Sequence, residues 1–159
     1  MNIKREFPTL VVTKKAEASL KSGHPWVYDA EIVNQDVKPE NGSLVDVLSG
    51  KGSYLGTGFY SEKSKIRVRV LSNNANDKFD RAFFERRLRY AVNYRKTVMQ
   101  EDFSCCRLVF GEADGLPGLT VDRFGEILVA QVLSFGMDQI KEMIFSLLVE
   151  ILQEMGEKV

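Results

Sequence analysis

In the first half of the chain, apolar positions come in short alternating runs parted by turn residues, the period-two signature of half-buried strands. Residues 9–13, 26–28, 43–48, 53–60 and 66–71 carry this pattern. One helical stretch interrupts them: residues 14–21 put Ala16 and Leu20 on one side, and Ser22-Gly23 stops the helix. Pro25 holds His24 extended, so the strand at Trp26-Val-Tyr28 begins at once. Short strands at this spacing predict a small, barrel-like curved sheet. Gly50, Gly52, Gly56 and Gly58 lie inside and between these strands with no helix opening behind them, so they read as bulges and corners rather than as a phosphate loop.

The pattern changes after Asn73-Asn-Ala-Asn-Asp77, a polar, turn-prone stretch without apolar anchors, which sets expected domains at 1–74 and 78–159. From Asp80, a plausible cap, a helix is predicted through Met99. Phe84, Leu88, Ala91, Val92 and Met99 form its inward stripe, Phe83, Tyr90 and Tyr94 an adjoining aromatic flank, and Arg86, Arg89, Asn93 and Lys96 the opposite side. Residues 107–110, 119–123 and 127–133 then read as strands of a small antiparallel sheet, with a type I turn expected over residues 122–125. A last helix, 136–155, carries a broad stripe of Met137, Ile140, Ile144, Leu147, Leu148, Ile151 and Met155, and Gly156 caps it. The fold class is α+β: a curved barrel-like sheet, then a small antiparallel sheet with flanking helices.

The loop Gly111-Glu-Ala-Asp-Gly-Leu-Pro-Gly118 is the most unusual stretch. Gly115, Pro117 and Gly118 suit tight backbone conformations, and Glu112 and Asp114 place two carboxylates among them. Helical spacing carries Arg95 into the apolar stripe beside Leu88 and Ala91, where a guanidinium needs a carboxylate or carbonyls. Glu112 or Asp114 is the expected partner, and the two acids then brace the loop; the other use is substrate handling.

Composition narrows the partners only in part. With 159 residues, 22 basic and 22 acidic side chains and 44% apolar residues, the chain reads as a globular protein of one domain or two small ones. Neutral total charge announces no nucleic acid, yet local faces can still be basic. On residues 65–69, Lys65, Arg67 and Arg69 share one strand face while Ile66, Val68 and Val70 take the other. Together with Arg86, Arg89 and Lys96 these cations either are solvated or contact phosphates, and the second reading requires acids such as Asp36, Glu40, Glu142 and Glu150 to lie elsewhere. No run approaches the ~20 apolar residues that span a bilayer, and the amino terminus lacks the apolar core of a leader, so the expectation is cytoplasmic, with no membrane partner. Adjacent Cys105 and Cys106 read as plain thiols, His24 as a packing or capping residue, and no metal site is expected.

Two blocks then point to a family. Gly23-His-Pro-Trp-Val-Tyr28, with Leu44-Val-Asp-Val-Leu48, Gly56-Thr-Gly-Phe-Tyr60 and Ile66-Arg-Val-Arg-Val-Leu71, resembles the amino-terminal PUA domain of the large-subunit ribosomal RNA methyltransferase I family. The run from Arg107 through Gly111-Glu-Ala-Asp-Gly-Leu-Pro-Gly118 to Gly125 is similar to that family's central domain. The resemblance implies a PUA-like pseudo-barrel and an S-adenosylmethionine-dependent cytosine-5 methyltransferase acting on 23S ribosomal RNA in the cytoplasm. It also implies a carboxy-terminal Rossmann-like domain that binds the cofactor and supplies the catalytic cysteine. This chain shows no glycine-rich strand-to-helix turn of that kind, so it reads as the RNA-binding and positioning fragment, without cofactor and inactive alone. No catalytic or cofactor-binding residue carries over, and homo-oligomerisation stays open. Two other classes remain: a free-standing PUA-type RNA-binding module, and a small acid/base enzyme using Glu112 and Asp114.

Overall fold

The computed structural model describes residues 5–35 and 37–159. Its backbone contacts divide the chain into two units, Met1–Asn76 and Asp77–Val159.

Among the described residues, the first unit is a six-stranded sheet in the order β2-β6-β5-β4-β1-β3. The strands are β1 (Thr9–Val12), β2 (Trp26–Tyr28), β3 (Ile32–Gln35), β4 (Leu44–Leu48), β5 (Tyr54–Tyr60) and β6 (Ile66–Ser72), with helix α1 (Lys14–Lys21) after β1. All pairings are antiparallel except β1 with β4. Thr13 caps α1 by accepting from the Ala16 amide, and Ala16 is the residue α1 buries. Leu10, Val12, Val27, Val45, Val47, Leu55, Tyr60 and Val68 complete the core, the inward residues of a sheet curled on itself.

Curling has local causes. The β5–β6 pairing shifts register between Thr57 and Gly58. There the strands approach so closely that a Cβ on Gly58 would fall on the Arg69 carbonyl, and one on Gly56 would meet Val70 at 2.7 Å. Buried Asp46 on β4 is satisfied by Arg5, whose Nε donates to Oδ2 at 2.6 Å, and by Thr57, whose hydroxyl donates to Oδ1 at 2.5 Å. β3 has no counterpart among the strands expected from the sequence. It shows one half-buried residue, Ile32, and otherwise exposed ones, too little alternation to signal a strand.

The second unit holds a three-stranded antiparallel sheet, β7 (Cys105–Phe110), β8 (Leu119–Phe124) and β9 (Ile127–Val132), in that order. Helix α2 (Arg81–Met99) buries Phe83, Phe84, Leu88, Ala91 and Val92, with Asp80 as N-cap accepting from the Phe83 amide at 3.0 Å. The aromatic flank divides: Phe83 is buried, whereas Tyr90 and Tyr94 are 70% and 61% exposed.

The predicted final helix is two, α3 (Phe135–Gln139) and α4 (Lys141–Glu154), separated at Ile140 with φ −110° and ψ 6°. Neither proline nor glycine marks the break, and the apolar stripe runs across it, so periodicity alone read one element. The hairpin turn also differs. β8 continues through Phe124, which pairs with Ile127, leaving Gly125-Glu126 as a two-residue turn with Gly125 at φ +64°. Asp122 is a strand residue paired across the sheet with Arg107, at 2.8 and 3.1 Å, and does not open a turn.

Candidate nucleic-acid interface

Curling of the sheet brings β2 beside β6, two strands that lie far apart along the chain. Trp26 stands directly across from Arg69 in this pairing, and the guanidinium lies 5.3 Å from the indole centroid. His24, Trp26 and Tyr28 form a ring cluster with centroids 5.7 to 6.4 Å apart. Arg67 is half-buried: its Nε donates to the Ser64 carbonyl at 3.3 Å, it lies 5.9 Å from the Tyr60 ring, and its Nη2 stands 3.7 Å from Asp29. Lys65 is exposed in the bend just before β6. Lys65, Arg67 and Arg69 therefore share a neighbourhood with three aromatic rings, a combination that offers both phosphates and base faces something to bind. Trp26 and Tyr28 were not among the side chains that the sequence marked for RNA. The register of β2 on β6 is a long-range property that no local window carries.

The cations of α2 are placed differently. Arg89 is held between Glu85 and Glu154, at 2.8 and 2.7 Å, and these carboxylates, Glu154 first, push its guanidinium further toward the charged form. Arg86 stands 3.6 Å from Asp77, and Lys96 3.7 Å from Glu157. Glu150, expected to lie elsewhere, pairs with Arg81 at 2.5 Å at the start of α2, while Glu40 and Glu142 are exposed and Asp36 lies outside the described residues. The face of α2 is thus a mixed lattice of both signs.

The glycine-rich loop is tied to α2. Arg95 donates to both oxygens of Asp114, at 2.6 and 2.8 Å, with both side chains 12% exposed. Of the two loop acids it is Asp114 that Arg95 meets. Asp114 also accepts from the Phe110 amide at 2.6 Å, so its lone pairs are committed to bracing the turn. Arg87, which sequence reasoning passed over, donates to the Gly115 carbonyl at 2.6 Å. Its guanidinium lies 4.5 Å from the Phe83 centroid, and burial lowers its pKa. Gly115 and Gly118 have φ of +66° and +82°, and Pro117 is buried between them. A Cβ at Gly118 would meet the hydroxyl of Ser134, which caps α3, at 2.6 Å. Half-buried Glu112 belongs to the same short 3-10 turn, Gly111–Asp114.

Cys105 and Cys106 are free, and burial raises the Cys106 pKa, which keeps the thiol protonated and weakly nucleophilic. Among the described residues no group of three or more potential metal ligands occurs, and no helix is long and apolar enough to cross a membrane.

Residues 10–73 match the family model of a PUA-like domain. Ribosomal RNA large subunit methyltransferase I of Klebsiella pneumoniae is 41% identical over 143 residues, which are 89% of this chain and 36% of that protein. The protein of the same name from Escherichia coli is 40% identical over 140 residues, 87% and 35% of the two chains. The chain therefore spans about a third of the length of these relatives. A solved structure of a candidate SAM-dependent methyltransferase from Streptococcus mutans matches with a TM-score of 0.79 over 91% of this chain and 38% of its own, at 20% identity. A second, a candidate methyltransferase complexed with SAH, gives the same score over 91% and 37%. At 20% identity these two speak for the fold. The identity to the ribosomal RNA enzymes goes further: over 89% of its length the chain is similar to the ribosomal RNA large subunit methyltransferase I proteins, and residues 10–73 of its first unit match a PUA-like domain.

Proposed function

We propose that this chain is the RNA-holding and RNA-positioning part of an S-adenosylmethionine-dependent 23S ribosomal RNA cytosine-5 methyltransferase that works in the cytoplasm. Residues 1–74 form its RNA-binding domain and residues 78–159 its central domain. The observation that carries this is the row Lys65, Arg67 and Arg69 set against Trp26 and Tyr28 in a chain 41% identical to ribosomal RNA methyltransferases. Lys65 and Arg69 take phosphates, Arg67 meets a phosphate or a base edge, and the rings take an unstacked base, which fixes the register of the RNA without selecting a target nucleotide. Target choice and methyl transfer then belong to the remaining two thirds of the family's length, where S-adenosylmethionine binds.

Arg86, Arg89 and Lys96 are the weaker part of this surface, since each stands against a carboxylate that phosphate would have to displace. The test is fluorescence anisotropy with ribosomal RNA fragments across a salt series. Reversing Arg67 and Arg69 to Glu is expected to weaken binding at least tenfold and to flatten the slope of log affinity against log salt by about 0.7 to 0.9 for each phosphate no longer neutralised. Reversing Arg86 and Arg89 to Glu is expected to change affinity less than about threefold, in line with the small worth of exposed, already paired charges. Unchanged affinity and slope in the β6 variant would move the RNA surface off this strand.

A further inference from the structure

A groove of about 460 Å³ opens beside the cationic strand, lined by Asp29, Ile32, Val33, Asn34, Gln35 and Arg67. The groove is shallow and open to solvent, with room for one planar base. Its polar lining is unusual in kind: one carboxylate, one guanidinium and two carboxamides, the side chains that recognise base edges, while Ile32 and Val33 supply apolar wall.

Two of these groups are held in place. Asp29 follows β2 directly, its amide donates to the Lys65 carbonyl at 2.9 Å, and its Oδ1 accepts from the Ala30 amide at 2.8 Å. Arg67 is anchored by the Ser64 carbonyl and the Tyr60 ring. The 3.7 Å between Arg67 Nη2 and Asp29 Oδ2 is too long for a hydrogen bond, so donor and acceptor face the groove side by side with capacity left.

Resting on the RNA-binding reading above, we infer that this groove receives one unstacked nucleobase of the bound RNA, and that the base is guanine. Guanine alone of the four offers two neighbouring N–H donors, N1 and N2, to a single carboxylate, with the O6 acceptor beside them for a guanidinium. Asp29 would accept from N1–H and N2–H, and Arg67 would donate to O6. Asn34 and Gln35, on the strand edge, close the groove on the other side. Single-stranded RNA is read in this way, along the edges of bases that have left the stack. Lys65 and Arg69 hold the flanking phosphates, so the groove adds selectivity to a surface that is otherwise indifferent to sequence.

The test uses the whole chain and four nonamers of uridine that carry G, A, C or U at the central position, with anisotropy as readout. The G-containing RNA is expected to bind roughly tenfold more tightly than the other three, the discrimination of one good bidentate contact. Asp29→Asn keeps the oxygen that serves the Ala30 amide, so the fold is retained; it is expected to remove the preference and leave uridine nonamer binding within about twofold. Equal affinity for all four RNAs, or a preference that survives Asp29→Asn, overturns the guanine groove while the phosphate surface stands. Absence of salt-dependent binding to any of them overturns both readings together.

Discussion

Arg95 shows how one misplaced charge organises its surroundings. A guanidinium in the apolar stripe of α2 is tolerated because Asp114 meets it with both oxygens, and removing the arginine strands a carboxylate that is 12% exposed. Arg95→Met is expected to cost about 3 kcal/mol, and Arg95→Lys to recover only part of it, because an ammonium cannot reproduce the planar two-bond fork. Calorimetric melting together with hydrogen exchange at the α2 amides checks this; unchanged protection in both variants would show the pair to be ornamental. Two glycines make a second comparison. Gly118 combines φ +82° with a Cβ position 2.6 Å from the Ser134 hydroxyl, whereas Gly125 at φ +64° has open space around it. Gly125→Ala is expected to cost about 1 kcal/mol, the left-handed backbone term, and Gly118→Ala about 1 to 2 kcal/mol more, because the cap of α3 must also shift. Urea unfolding of the two variants separates the contributions, and equal losses would mean that Ser134 adapts freely.

At the scale of elements, much was legible. The α1 span of residues 14–21, the strand at 26–28 and the cap at Asp80 follow from spacing and end signals that act within a few residues. The elements read wrongly share a cause. The α3–α4 break at Ile140 interrupts an apolar stripe without interrupting its period, and β8 runs on to Phe124 because Arg123 is buried inside the sheet. There Arg123 donates to the Gly125 carbonyl and to Glu157, both at 2.9 Å. At Phe124 packing overrode a local turn signal, and at Ile140 it broke a helix that no local signal breaks. The strand β6, with Lys65 just before it, and the helix α2 carry three nominated cations each, yet their surroundings differ. Arg69 stands beside the Trp26 ring, and Arg67 beside Tyr60 with Asp29 at 3.7 Å, whereas Arg89 is clamped at 2.8 and 2.7 Å between Glu85 and Glu154, the second of them from α4.

For the whole molecule, the division of labour proposed above carries an expectation about the cofactor. The chain matches about a third of each ribosomal RNA methyltransferase, and no described strand of it opens through a glycine-rich turn into a helix of the dinucleotide-binding kind. Isothermal titration of the chain with S-adenosylmethionine is therefore expected to show no saturable heat at micromolar concentrations. A stoichiometric binding curve would place the cofactor site within these residues and overturn the division of labour proposed above.

Most of the elements, the α+β class, the likeness to one enzyme family and the need of Arg95 for a carboxylate are written in the order of residues, because each depends on neighbours a few positions apart or on a long unusual run such as residues 107–125. Folding in three dimensions chose which acid meets Arg95, set Arg87 on Gly115 and Trp26 across from Arg69, and lined one groove with Asp29, Arg67, Asn34 and Gln35. Strand register across a curled sheet joins residues some forty positions apart, and the choice among them is made by the burial of the whole core rather than by any segment's own preference.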